Sequence, residues 1–129
     1  MEVVDLLDLG TEGPRPVRPY VRPSVTTKEP GHCYQVAAEF LLLHPHAPED
    51  GVVVHGDPVL RVPPFCRYGH AWVETRWGDR VIDLTMSYDG PSVPFYAVGQ
   101  IDFTRCKRYN REDLCRAILE SGTWGPWED

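Results

Sequence analysis

The hydrophobic pattern is most regular over residues 31–44, where apolar positions recur with the spacing of one helical face. This spacing predicts a helix that is buried along one side, with Cys33 in its first turn and at the open end of that side. The helix ends at His44, because Pro45 disfavours a helical conformation in the residue before it. The apolar positions that follow the cysteine are Val36, Ala37, Phe40 and Leu41.

Four later segments have the composition and alternation of strands. The predicted strands are residues 51–56, 68–77, 80–85 and 95–103. In the second strand, Tyr68, His70, Trp72 and Glu74 share one face, and Gly69, Ala71, Val73 and Thr75 share the other. The small residues Gly69 and Ala71 allow a neighbouring layer to approach closely.

The remaining segments predict loops and a final helix. Residues 10–30 are rich in proline and are predicted to form an extended arm. Residues 57–67 are also rich in proline and are predicted to cross one end of the sheet. Residues 88–94 are predicted to form a loop. Asn110 caps a helix whose apolar positions are Leu114, Ala117 and Ile118 and which ends at Gly122. Residues 121–129 are predicted to be a tail that docks on the body through Trp124 and Trp127.

These elements predict an α+β fold, in which an N-terminal helix carries the cysteine and packs on an antiparallel sheet of about four strands, followed by a C-terminal helix. At 129 residues the chain matches a single domain, residues 1–129.

The charge and hydropathy of the chain restrict its partners. A net charge of −6 argues against nucleic-acid binding, since such proteins concentrate Lys and Arg on one face. No apolar run approaches the roughly 20 residues that span a bilayer, so no membrane association is expected. The sequence indicates neither a cofactor nor an oligomeric state.

The four cysteines are widely spaced, and the first ten residues lack the features of a signal peptide, so we expect reduced thiols in the cytoplasm. A zinc site from Cys66, His70 and the His44/His46 pair is an alternative, but none of these residues has the spacing of a ligand pair, and no metal is predicted.

Cys33 has two interpretations. The free amides and positive dipole end of a helix N-terminus stabilise a thiolate, which is the nucleophilic form of cysteine. Cysteine is also among the most buried residue types, and a thiol on an apolar face is often a small core residue.

Thiol catalysis needs a base near the sulfur and a third group that orients the base, and the candidates are His70 and Asp83. A tight turn at residues 78–79 would place Asp83 opposite Glu74, roughly 13 Å from His70. A loop centred between residues 76 and 77 places Asp83 opposite His70, and a loop centred between Trp77 and Gly78 places the two on a diagonal. The triad therefore predicts a displaced turn. Taken singly, His70 is better explained as a half-buried strand histidine, and Asp83 as a carboxylate that binds turn amides. Their order and context favour the triad more than either residue does.

The segments GHCYQVAAEFLL, YGHAWVE and VIDLT occur in the order Cys, His, Asp. Over residues 31–86 this arrangement resembles the core of the transglutaminase-like and papain-like cysteine enzymes. With YAVGQI and the closing GPW, nearly the whole chain resembles small proteins that are common in bacteriophage and bacterial genomes. This resemblance implies Cys33 as nucleophile, His70 as general base and Asp83 as orienting acid, in the cytoplasm of a bacterium or of a phage host.

Such a triad transfers acyl groups from amides, isopeptides, esters or thioesters through an acyl-enzyme, with a peptide, a protein or a small acyl compound as substrate. The Cys33 amide would help to hold the oxyanion, and Tyr20 or His32 is a candidate for the second donor. Trp72 either walls a substrate groove, with Trp124 and Trp127, or packs in the core. The alternatives are a peptidase that matures peptides and a catalytically inactive binding module of the same fold, such as a phage protein that engages a host factor.

Overall fold

The computed structural model describes residues 32–75 and 77–127, and these residues form an α+β fold of three α-helices and a five-stranded antiparallel sheet. The helices are α1 (His32–Leu43), α2 (Ser92–Gly99) and α3 (Arg111–Ser121). The strands are β1 (Val52–Gly56), β2 (His70–Thr75), β3 (Arg80–Asp83), β4 (Tyr88–Pro91) and β5 (Lys107–Tyr109). The arm over residues 10–30 and Tyr20 lie outside the described residues. No helix in the described ranges has the length and apolar character needed to cross a membrane.

The sheet has the order β4-β3-β2-β1-β5, and both of its faces are covered. On one face, α1 packs against β1 and β2, and α3 contacts α1, β1 and β5. On the other face, Phe95 and Tyr96 of α2 pack against a cluster formed by Val54, Trp72 and Val81. Since both faces are covered, every residue of β2 is buried, including the polar ones.

The helix that carries the cysteine forms as predicted. Cys33 is the second residue of α1, and Val36, Ala37, Phe40 and Leu41 are at most 6% exposed. The close approach predicted at Gly69 is also present, because a Cβ there would collide with the hydroxyl of Tyr34. The absence of a side chain at Gly69 therefore lets the first turn of α1 lie directly against the start of β2.

The β2–β3 hairpin has the displaced register that the triad requires. Val73 pairs with Ile82 and Thr75 pairs with Arg80, so the loop is centred between Trp77 and Gly78. Both loop residues adopt positive φ angles, +62° and +90°. Asp83 and His70 consequently lie on a diagonal and on the same face, which confirms one of the two permitted arrangements and excludes a tight turn at residues 78–79.

Two predictions between residues 88 and 103 are wrong. The segment predicted as a loop contains β4, which pairs with β3, and the segment predicted as a strand is mostly helix α2. Pro94 is the third residue of α2, where the missing amide costs no intrahelical hydrogen bond. Its neighbours Phe95 and Tyr96 both pack on Trp72, with ring centroids 5.1 and 6.0 Å away, and the alternation of a strand would not place both there.

The sheet has five strands where about four were predicted, because three of the predicted strands form and both β4 and β5 were missed. Strand β5 has only three residues, two of them basic, and pairs with β1. Arg108 is held there by the buried Glu74, at 3.4 Å, and by the ring of Phe103, at 4.2 Å from its centroid. Its place in the sheet thus depends on tertiary partners that the local sequence does not reveal.

The last helix has the predicted ends. The Asn110 side chain accepts a hydrogen bond from the Asp113 amide at 2.8 Å, and Gly122 closes the helix with a φ of +74°. Leu114 is fully buried, and Ile118 packs against the same core cluster. Trp124 and Trp127 of the tail also contact this cluster.

Candidate active site

The thiol of Cys33 lies at the N-terminal end of α1, half-buried against the core, and is not in a disulfide. The first amides of a helix have no intrahelical acceptor, and the helix dipole adds positive potential at this end. Both effects favour a negative charge on the sulfur. The position therefore suits a thiolate as well as a buried thiol.

His70 and Asp83 form a close, buried pair. The Nε2 atom of His70 donates a hydrogen bond to Oδ2 of Asp83 at 2.6 Å, and the two residues are 5% and 1% exposed. The diagonal register of the hairpin is what brings them together, since neither residue is directly opposite the other. Water is excluded from the pair, so its electrostatic interaction is much stronger than at the surface.

The second oxygen of Asp83 is held by the turn that follows β3. Oδ1 accepts hydrogen bonds from the Thr85 hydroxyl at 2.9 Å and from the Met86 amide at 3.1 Å. The alternative interpretation of Asp83, a carboxylate that binds turn amides, agrees with the bond from Met86. The Thr85 hydroxyl was not predicted, although an Asp followed two residues later by Thr is a pattern typical of local side-chain bonding. The carboxylate is thereby fixed on both sides, and it holds the imidazole in a single orientation.

Cys33 also lies close enough to His70 to raise its pKa. Because Nε2 is engaged by Asp83, the ring nitrogen left for the sulfur is Nδ1. Burial acts to lower the pKa of His70, but the Asp83 carboxylate and the Cys33 sulfur outweigh it and raise the pKa to about 10. His70 is therefore an imidazolium at neutral pH, and its charge is stabilised chiefly by the Asp83 carboxylate.

The other histidines do not compete for this role. His55 is buried among Tyr34, Tyr109 and Trp127, and burial together with the nearby Lys107 lowers its pKa to about 4. It is therefore neutral at physiological pH. His44 and His46 follow the other end of α1, which is about 18 Å long at the usual rise per residue.

A cavity of about 290 Å³ opens beside the pair. Tyr68, His70 and Asp83 form its polar end, and the rest of its lining is largely apolar. Burial raises the pKa of Tyr68, and the charges of Asp83 and Cys33 add to that effect, so the hydroxyl stays protonated near the sulfur. This cavity was not predicted, because much of its wall belongs to α2, which was predicted as a strand.

The remaining predicted site residues are more dispersed. His32 is the first described residue of α1 and is next to Cys33. Trp72 is 1% exposed and its indole donates to Glu74 at 2.9 Å, so it packs in the core and does not wall a groove. Trp127 stacks on His55, away from His70. Tyr20 lies outside the described residues.

The alternative zinc site is not assembled. Within residues 32–75 and 77–127, no three or more His, Cys, Asp or Glu side chains are grouped so as to hold a metal ion. Cys66 and the His44/His46 pair thus do not join His70, whose Nε2 is already bonded to a carboxylate.

Comparisons of the chain with protein-family models, with curated proteins and with solved structures give no significant match. Any function must therefore be argued from the arrangement of Cys33, His70 and Asp83 itself.

Proposed function

We propose that this chain is a thiol-dependent acyl-transfer enzyme that uses Cys33, His70 and Asp83 as a catalytic triad. The observation that carries the proposal is the position of His70, which is bonded through Nε2 to a fixed carboxylate and lies close to a thiol at a helix N-terminus. The substrate is an amide, isopeptide, ester or thioester of a peptide, a protein or a small acyl compound in the cytoplasm.

The reaction proceeds in two steps, acylation and deacylation of Cys33. The Cys33 thiolate attacks the carbonyl carbon, and the resulting tetrahedral intermediate collapses as the leaving atom takes the proton from Nδ1 of His70. Water or an amine then attacks the thioester while His70 accepts its proton, which releases the acyl group and restores the thiolate–imidazolium pair. Asp83 stays ionised throughout and stabilises the charged imidazole.

The negative oxygen of each intermediate requires hydrogen-bond donors. The backbone amide of Cys33 is at the helix start and has no intrahelical acceptor, so it serves as one donor. Tyr68 joins His32 and Tyr20 as a candidate for the second, because its protonated hydroxyl lies close enough to Cys33 for the two to interact electrostatically.

The test is to trap the acyl-enzyme. We expect incubation with a panel of acetyl thioesters, esters and anilides, followed by acid quench and peptide mass mapping, to show an acetyl group on Cys33 within one turnover. Cys33→Ala should abolish this adduct, whereas Cys115→Ala, which removes an exposed thiol on α3, should leave it unchanged.

Acetylation that is spread over the exposed cysteines Cys66 and Cys115, or that stays absent from Cys33 with every donor, would refute the enzymatic proposal. The fold would then be assigned to its alternative role, a binding module that keeps the triad geometry without turnover.

A further inference from the structure

The cavity beside His70 has a chemical character that restricts the substrate. Its polar end is formed by the catalytic pair and Tyr68, and the remaining lining is dominated by apolar side chains. Asp83 offers no free oxygen to a ligand, since both of its oxygens accept hydrogen bonds from the protein. The apolar part includes Val59, Met86, Pro94, Phe95, Val98 and Ile101.

The mouth of the cavity is also apolar. Met86 and Val98 line it and are 56% and 54% exposed, which leaves apolar surface in water at the entrance. Among the described residues that line the cavity, Arg61 is the only charged one besides the catalytic pair, and its side chain is exposed. Away from its polar end and from Arg61, a charged or strongly polar group would lose hydration against the apolar lining without gaining a partner.

The position of the cavity indicates which part of the substrate it receives. His70 and Asp83 line it, whereas Cys33 does not. In acyl transfer the carbonyl carbon is bonded to the nucleophile, and the leaving atom is the one that takes the proton from the base. The group attached to the leaving atom therefore extends past the imidazole, toward the cavity.

Resting on the function proposed above, we propose that the cavity binds an apolar group on the leaving side of the scissile bond. The preferred donors are thus esters, thioesters or amides of an apolar alcohol, thiol or amine. The volume of about 290 Å³ holds roughly ten water-sized groups, which leaves room for a chain of six or so carbons or for one aromatic ring. An apolar amine enters the same space in the second step, where it takes the place of the departed group and competes with water.

Two series of thioesters distinguish this proposal from the reverse arrangement, in which the cavity binds the acyl group. One series keeps the acetyl group and lengthens the thiol from ethyl to butyl to hexyl, and the other keeps the ethyl thiol and lengthens the acyl chain. The single-turnover rate of Cys33 acylation is measured by mass spectrometry at concentrations below saturation. In the thiol series we expect this rate to rise about two- to fourfold per methylene, and the fourfold value corresponds to complete burial of the methylene. In the acyl series we expect the rate to stay constant.

Helix α2 supplies a matched pair of variants. Val98 lines the cavity, whereas Val93 is 76% exposed on the same helix and does not. Val98→Asp should remove the dependence of the rate on thiol length, because it places a charge in the apolar lining. Val93→Asp should retain the full dependence.

Equal rates across the thiol series, a rise across the acyl series, or identical behaviour of Val98→Asp and Val93→Asp would overturn the proposal while leaving the triad intact. Failure of every thioester, ester and anilide to acylate Cys33 would instead refute the enzymatic function. In that case, binding of 1-hexanol to the unreacted chain, monitored by NMR, still tests the cavity. Shifts at Val59 and Ile101 that are lost only in Val98→Asp would support an apolar site, and their absence would refute it.

Discussion

Replacement of His70 by glutamine is expected to slow the alkylation of Cys33 by iodoacetamide about 10- to 100-fold near pH 6.5. An ordinary thiol is only about 1% thiolate at that pH, whereas a thiol paired with an imidazolium is largely ionised. The full factor of about 100 is reduced because a stabilised thiolate is a weaker nucleophile. Glutamine keeps a hydrogen-bonding side chain at the position but cannot carry the charge.

The other cysteines supply the internal control. Cys66 and Cys115 are exposed, so both should react at the rate of free thiols and should not respond to the substitution at His70. His44→Gln removes a histidine beyond the far end of α1 and should leave the rate at Cys33 unchanged. If Cys33 in the parent reacts no faster than Cys115 at pH 6.5, the thiolate is not preformed.

Asp83→Asn is expected to lower the free energy of unfolding by about 3–5 kcal/mol at pH 6, the range for removal of one partner from a buried ion pair. The amide oxygen of asparagine can still accept from Thr85 and Met86, so the turn after β3 is largely kept. The loss falls on His70, which becomes a buried imidazolium without its carboxylate.

The effect of this substitution depends on pH in a defined direction. The pKa of His70 is about 10 in the folded chain and about 6.5 when unfolded, so the protonated form favours the folded state. This contribution is fully present below about pH 6.5 and is lost as the pH rises through about 10. In the parent the free energy of unfolding should therefore fall across this window, and in Asp83→Asn the fall should be much smaller.

Urea unfolding of both proteins between pH 6 and pH 9.5 measures this difference, with Glu112→Gln as a control. Glu112 forms an exposed pair with Arg116 on α3, which is expected to contribute less than about 1 kcal/mol. A parent and an Asp83→Asn variant that lose stability in parallel with rising pH would show that the His70–Asp83 pair does not set the pH dependence.

The elements that could be predicted from sequence are those in which the local sequence pattern favours the same conformation as the tertiary contacts. The apolar face of α1, the β-branched run of β1 and the two caps of α3 each specify one conformation. The segment from Tyr88 to Gly99 does not, because its strand is short and contains Gly and Pro, and its helix has an apolar pattern that also fits a strand. Its conformation is decided by contacts with Trp72 and β3, which are distant in sequence.

The same reasoning explains what could be predicted of the site. The order Cys33, His70, Asp83 and the requirement for a displaced hairpin followed from spacing, and the observed register meets that requirement. Thr85 and Tyr68 were missed because their roles depend on where the turn after β3 and the loop before β2 run. The cavity was missed because its wall includes α2, whose helical state was not predicted.

The charge state of His70 is the most direct test of the thiolate–imidazolium pair. The measurement is the pH titration of its ring resonances by NMR between pH 5 and pH 9, with the signals assigned by comparison with His70→Gln. The pair predicts that the ring stays doubly protonated across this range, since its pKa is raised to about 10. Loss of the proton with a midpoint near 6.5, the value of a free imidazole, would contradict the pair and with it the proposed nucleophile.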